Sequence, residues 1–188
     1  MNFNNILTCK NKKEFYNWLK EHHTTQDECW IECKKGYIKD DDVFYYTDAV
    51  YVALCFGWID SVSMKKDGVR LQRFSPRKKN SSWGELNKER CRWLIKHGYM
   101  TENGYKTLPD FDEEFVIDED ILEKLKEDDE TWNNFCSFPE LYRRIRIANI
   151  QKQRKDPEVF NRMLNNFLQK TKENKIYGDY TDQGRLLK

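Results

Sequence analysis

Trp58–Phe74 reads WIDSVSMKKDGVRLQRF. On either side of Lys66-Asp67-Gly68, apolar and β-branched residues alternate with polar ones, the period of a half-buried strand, and Asp-Gly between two such runs signals a β-hairpin. If Asp67 and Gly68 are the two loop residues of a type I′ turn, Lys66 pairs with Val69. Counting back from that pair sets Asp60 opposite Ser75, with Arg73 and Arg77 on its diagonals. The three then share a face with Trp58, Val62, Met64 and Leu71: a carboxylate held by two guanidinium groups beside an indole. A bulge or a longer loop shifts the register by one and sends them to opposite faces, leaving Asp60 as a cap at the strand end. Both readings stay open at this point.

Outward from the hairpin, Asn11-Lys12-Lys13-Glu14 has the form of a capping box, and Phe15, Trp18, Leu19 and His22 recur at helical spacing, predicting a helix over 12–23. Cys29, Ile31 and Cys33 alternate with Trp30, Glu32 and Lys34 as in a strand, before the loop Gly36–Asp42. Thr47 is expected to cap a helix through Phe56, stopped by Gly57 in the left-handed conformation. Ser82 with Glu85 three residues on is a second capping box, opening a helix that carries Trp83, Leu86, Arg90, Trp93 and Leu94 to His97, with Gly98 as its stop. A short turn or helix follows at Thr101–Thr107. Further helices are predicted from Asp118, over Thr131–Cys136 and from Pro139. Asp156-Pro157 is an N-cap with a first-turn proline, and the apolar stripe after it, Phe160, Met163, Leu164, Phe167 and Leu168, is a packing surface. The last sixteen residues read as a tail whose Tyr177, Tyr180, Leu186 and Leu187 can dock on the body. The expected fold is α+β: a small antiparallel sheet with flanking helices over residues 1–108, a helical region over 109–172, and the tail 173–188.

With 188 residues, 38% of them hydrophobic, and six Trp, ten Tyr and eleven Phe, the chain can bury one good core and a small satellite. It has no apolar run of transmembrane length, and its N-terminus lacks the charged-then-apolar order of a secretory signal. A cytoplasmic protein without membrane insertion is therefore expected. Six cysteines in a chain of this kind are expected to be reduced. The spacing of Cys29 and Cys33 does not fit a zinc or redox pair, so neither a metal nor a cofactor is expected. A net charge of +1 hides segregation: Met64–His97 holds eleven Lys/Arg against three acids, Asp110–Glu130 twelve acids against two lysines, and Phe138–Lys172 nine Lys/Arg against three acids. The segregation fits intramolecular pairing of the acidic stretch, or a basic surface for an anion.

The chain shows no Gly-rich phosphate loop, GxSxG, HExxH or EF-hand pattern, and its three histidines fall at helix ends. No catalytic residue is assigned, and enzymatic activity is left open. The remaining chemistry gathers in Trp58, Asp60, Arg73, Ser75, Arg77, Ser82, Trp83 and Asn87, with Lys78 and Lys79 beside them. Guanidinium groups bind carboxylate or phosphate bidentately, a serine and a helix N-terminus add donors, and tryptophans offer flat faces. The competing reading is an ordinary ion pair under two core tryptophans.

The segments ALCFGWIDS (Ala53–Ser61), QRFSPRKKNSSW (Gln72–Trp83) with Asn87-Lys88-Glu89-Arg90, and LIKHGYMTENG (Leu94–Gly104) resemble, in the same order, motifs of the bacterial YdeI/OmpD-associated, or bacteriocin-protection, family. The resemblance covers Phe15 to about Gly104. The helical C-terminal half is similar to one branch of the family, with Ile150-Gln-Lys-Gln-Arg154 standing where the general family has an arginine-rich pattern. The resemblance implies an α+β cytoplasmic bacterial protein linked by name to antimicrobial-peptide and envelope-stress resistance. Three functions compete: a non-catalytic pocket for a small anionic ligand, a nucleic-acid binder whose basic stretches track the backbone while tryptophans stack on bases, and an enzyme using Asp60 as base. Flanking arginines disfavour the last, because they lower a carboxylate's pKa. The oligomeric state is not legible from the sequence.

Overall fold

The computed structural model describes residues 3–40 and 43–188, so Asp41 and Asp42, the end of the loop read over Gly36–Asp42, lie outside the described residues. The chain divides into two compact units, Met1–Ser82 with Glu89–Pro109 and Trp83–Lys88 with Asp110–Lys188.

The first unit is α+β. Among its described residues, one four-stranded sheet runs in the order β1 (Ile6–Leu7), β2 (Cys29–Glu32), β4 (Val69–Pro76), β3 (Trp58–Lys66). The sheet is mixed: β2 to β4 and β4 to β3 are antiparallel, but β1 lies parallel to β2. Two residues of β1 are too short for an alternation pattern to show. One face is covered by α1 (Lys12–His22) and α2 (Tyr46–Cys55). Helix α1 is capped as read, Asn11 Oδ1 accepting from Glu14 N at 3.0 Å. Its Phe15 and Leu19 are fully buried, with the Phe15 ring 5.4 Å from that of Phe74. Helix α2 begins one residue before Thr47, with Tyr45 as a cap that makes no side-chain bond. Asp48 to Cys55 are all buried, so this helix is central and draws its stability from packing rather than from its cap. Each large side chain buried here contributes about 1.5–3 kcal/mol.

The hairpin turn forms as the sequence predicts: Asp67 and Gly68 have φ of 49° and 83°, both positive as type I′ requires, and Lys66 pairs with Val69. The register then slips. Ser63 faces Gln72, but Asp60 faces Phe74, so Ser61 and Val62 together oppose Arg73 in a β-bulge. The buried side chain of Gln72 fills it, Nε2 donating to the carbonyls of Ser61 and Val62, each at 3.2 Å. Helices α3 (Glu85–Lys96) and α4 (Glu102–Tyr105) follow.

The second unit is helical, with α5 (Glu119–Lys126), α6 (Asp129–Ser137), α7 (Glu140–Gln151) and α8 (Pro157–Lys172). Its core joins Ile121 and Leu125, Phe135, Tyr142 and Ile150, and the α8 stripe Phe160, Leu164 and Phe167. Asp156 caps α8 ahead of Pro157, as expected. Several acids of the acidic stretch find partners within their own unit. Arg154 bonds both Asp118 and Asp120 at 2.6 Å, and Lys172 bonds Asp128 at 3.0 Å. The final residues also rest on this core: Tyr177 and Tyr180 pack against Tyr142, with Arg146 between the rings of Tyr142 and Tyr177. Among the described residues, no helix is long and apolar enough to cross a membrane.

Candidate functional site

The bulge decides where the sequence-predicted residues go. Residues opposite one another across a sheet share a face, and neighbours along a strand do not. Asp60, opposite Phe74, therefore joins Trp58 on the helix-covered face, while Arg73 projects from the other. The expected grouping of Asp60 between Arg73 and Arg77 does not form. Arg73 instead donates through Nε to Glu28 Oε2 at 2.6 Å, and through Nη1 to the hydroxyls of Ser61 and Ser75 at 3.2 and 3.5 Å. Burial pushes the Glu28 carboxyl up, but bonds from Arg73, Trp30 and the Asn4 backbone outweigh it and hold its pKa below the usual value. Arg73, Ser75 and Glu28 form a closed ion-pair group.

Trp58 is 1% exposed. Its indole meets Trp18 edge-on at 5.9 Å, and its Nε1 donates to the carbonyl of His23 at 3.2 Å. A ring so enclosed is core, with no face open to a base. Ser82 does not cap α3 either: the first helical bond runs from Lys88 N to Gly84 O at 3.0 Å. Glu85, the other half of the expected capping box, is taken by Lys88 at 3.0 Å and Arg144 at 2.8 Å within the helical unit. Trp83 and Asn87 fall in the segment 83–88 that belongs to that unit, so the eight residues divide between the two.

What remains around Asp60 is a different cluster. Tyr46, in the first turn of α2, donates its hydroxyl to Asp60 Oδ2 at 2.6 Å. Burial first, then the negative charge of Asp60, raise the phenol's pKa well above its ordinary value, so it stays a neutral donor. Arg77 is 9% exposed; its Nη1 donates to the carbonyls of Ser81 and Ser82 at 3.4 and 3.1 Å, and its backbone N to Gly57 O at 2.9 Å. Burial draws the Arg77 guanidinium's pKa down, while Cys91 and Asp60 act against that. Arg90 is 7% exposed, its guanidinium 5.8 Å from the Tyr51 ring centre, and its charge is felt by Tyr46 and Cys91. The half-buried Tyr46–Asp60 pair thus lies within the field of two buried cations, Arg77 acting with Asp60 and Arg90 with Tyr46.

Sequence reading missed Tyr46 and misjudged Arg90. The signal for Arg90 was present: an arginine at helical spacing with Leu86, Trp93 and Leu94 lies on the apolar side of α3. Tyr46 lies fourteen residues before its partner, and nothing local marks it.

The thiols nearby are poor nucleophiles. Burial pushes Cys33, Cys55 and Cys91 each up to about 12, so all three are protonated at neutral pH. All six cysteines are free. Among the described residues, no group of three His, Cys, Asp or Glu is placed to hold a metal ion.

Residues 7–107, more than half of the 188-residue chain, match the family model of a Domain of unknown function (DUF8412). The chain belongs to this family. Residues 114–174 match a second family, Bacteriocin-protection, YdeI or OmpD-Associated. The resemblance drawn from the sequence thus holds, but over the helical half. The hairpin motifs that suggested it lie in the part matched by the other model. No curated protein and no solved structure matches the chain.

Proposed function

We propose that the α+β unit is a non-catalytic binding module for a small anion, held by Arg77 and Arg90 beside the Tyr46–Asp60 pair. The observation that carries this reading is that two buried guanidinium groups act on the Tyr46–Asp60 pair, Arg77 with the carboxylate and Arg90 with the phenol that engages it. A desolvated, preorganised guanidinium reads carboxylate or phosphate through two parallel bonds. The carbonyls of Ser81 and Ser82 hold the Arg77 head in place, and Asp60 orients the positive charge. Trp58, Arg73 and Ser75 drop out of the binding set in this reading and serve the fold. The description of the family matched over 114–174 extends the proposal to a part in bacteriocin protection, and six free thiols favour a cytoplasmic setting.

The test is a thermal-shift and calorimetric panel of phosphate, nucleotides and small carboxylates against the wild type and Arg77→Lys, Arg90→Lys and Arg73→Ala. Lysine keeps the charge but loses the fork, so each Lys variant weakens binding about tenfold. Arg73→Ala leaves binding unchanged. Equal affinity in both Lys variants removes the cluster from function. A log-log salt slope of several units, the mark of multiple phosphate contacts, replaces the small anion with a nucleic acid.

A further inference from the structure

A cleft of about 870 Å³ opens in the α+β unit, lined by none of Tyr46, Asp60, Arg77 and Arg90, although Cys33 in its wall feels the charge of Asp60. It lies where β1, the end of β2 and the hairpin turn come together, and none of the eight residues predicted from sequence lines it. Its volume is that of a small-molecule pocket. Its walls are apolar where the strands contribute Ile6, Leu7, Val69 and Leu71. Its lining carries an excess of cations, Lys10, Lys34, Lys66 and Arg70 against Glu32 and Asp67. Among the described residues, none of these four cations makes an ion pair. Two of them rest over rings, Lys34 Nζ 5.8 Å from the centre of Tyr45 and Lys66 Nζ 5.4 Å from that of Phe3. Such contacts hold an ammonium in place without cancelling its charge.

Apolar strand residues beside an excess of positive charge are complementary to one kind of small molecule. We propose that this cleft binds a free amphipathic carboxylate, an acyl chain lying on the apolar strand residues with its carboxylate drawn to the hairpin end, where Lys66 and Arg70 lie on adjacent strands. The cations set which end of the ligand faces out, and the apolar strand residues supply the binding energy in proportion to chain length, about 0.8 kcal/mol for each buried CH₂. The site shares no residue with the small-anion site proposed above, whose ligand needs no apolar body.

The experiment is calorimetric titration of the full chain with decanoate, hexanoate, acetate and decyl maltoside, each below its micellar concentration. Decanoate binds, hexanoate binds at least tenfold more weakly, and acetate and the uncharged decyl maltoside do not bind. Arg70→Glu and Lys66→Glu, both at exposed positions of the hairpin, each weaken decanoate at least tenfold, with circular dichroism unchanged. Arg77→Lys leaves decanoate binding intact, which separates failure of this site from failure of the Asp60 cluster. Decanoate that does not bind, that binds equally to both charge-reversed variants, or that is matched by decyl maltoside overturns the proposal.

Discussion

Tyr46 controls how Asp60 is presented. Its hydroxyl is the short donor to the carboxylate, and burial together with that carboxylate keeps the phenol from ionising. A pKa raised on folding contributes stability that is fully present below the unfolded value, near 10, and is lost as pH rises toward the folded one. Tyr46→Phe removes the donor while keeping the ring, and is expected to destabilise the unit by about 1–2 kcal/mol at pH 7. The difference between wild type and variant in urea midpoint shrinks above pH 10, because the wild type there must ionise the phenol or hold it neutral at a cost. A difference independent of pH from 7 to 11 shows that the phenol is not coupled to folding. At this scale the sequence named Asp60 and Arg77 together, and the structure leaves the charge of Asp60 felt by the buried Arg77 without the expected grouping with Arg73. It could not show Tyr46, because a tertiary hydrogen bond across fourteen residues leaves no mark on local pattern.

The hairpin turn was legible because Asp-Gly with two positive φ angles is local chemistry, carried by two residues. The bulge was not, because Ser61-Val62-Ser63 continues the polar-apolar alternation across it, and only the partner strand reveals that two residues face one. That single slip moved Arg73 to the opposite face and into the hands of Glu28, and so dissolved half of the site drawn from the sequence. Gln72 holds the slip in place by donating to both bulge carbonyls. Gln72→Met keeps the length of the side chain and removes the donor, leaving those carbonyls without it. The expected cost is about 1–3 kcal/mol in chemical denaturation. Nuclear magnetic resonance shifts are expected to change at Ser61 and Val62 and to stay put at Asp67 and Gly68. A variant as stable as wild type places the bulge under the control of packing alone. Helices were read more surely than sheet register for the same reason: the Asn11 and Asp156 caps and the α8 stripe lie within one element, whereas β1 declares itself only by pairing with β2.

Over the whole chain, the near-zero net charge conceals a helical half that uses its acids structurally. Several acids of the run Asp110–Glu130 pair with cations of their own unit: Arg154 grips Asp118 and Asp120 while its guanidinium lies 4.2 Å over Phe160. Asp128 caps α6, accepting from the hydroxyl and backbone N–H of Thr131, with Lys172 beyond, and these bonds lower its carboxyl to about 2. Bonds to Lys175 and Lys170 bring Glu173 to about 2 as well, and Arg154 lowers Asp120. Carboxyls depressed on folding contribute stability that is complete above their unfolded values, near 4, and is lost as pH falls toward the folded ones. The helical signal in circular dichroism is therefore expected to lose urea resistance between pH 4 and pH 2. Asp128→Asn isolates one part of that loss, since asparagine caps a helix about as well as aspartate and does not titrate. The wild type is expected to exceed the variant in urea midpoint at pH 5, where Lys172 faces a full charge, and to converge with it at pH 2. Parallel curves across that range assign the acid sensitivity to Glu173 and Asp120 instead.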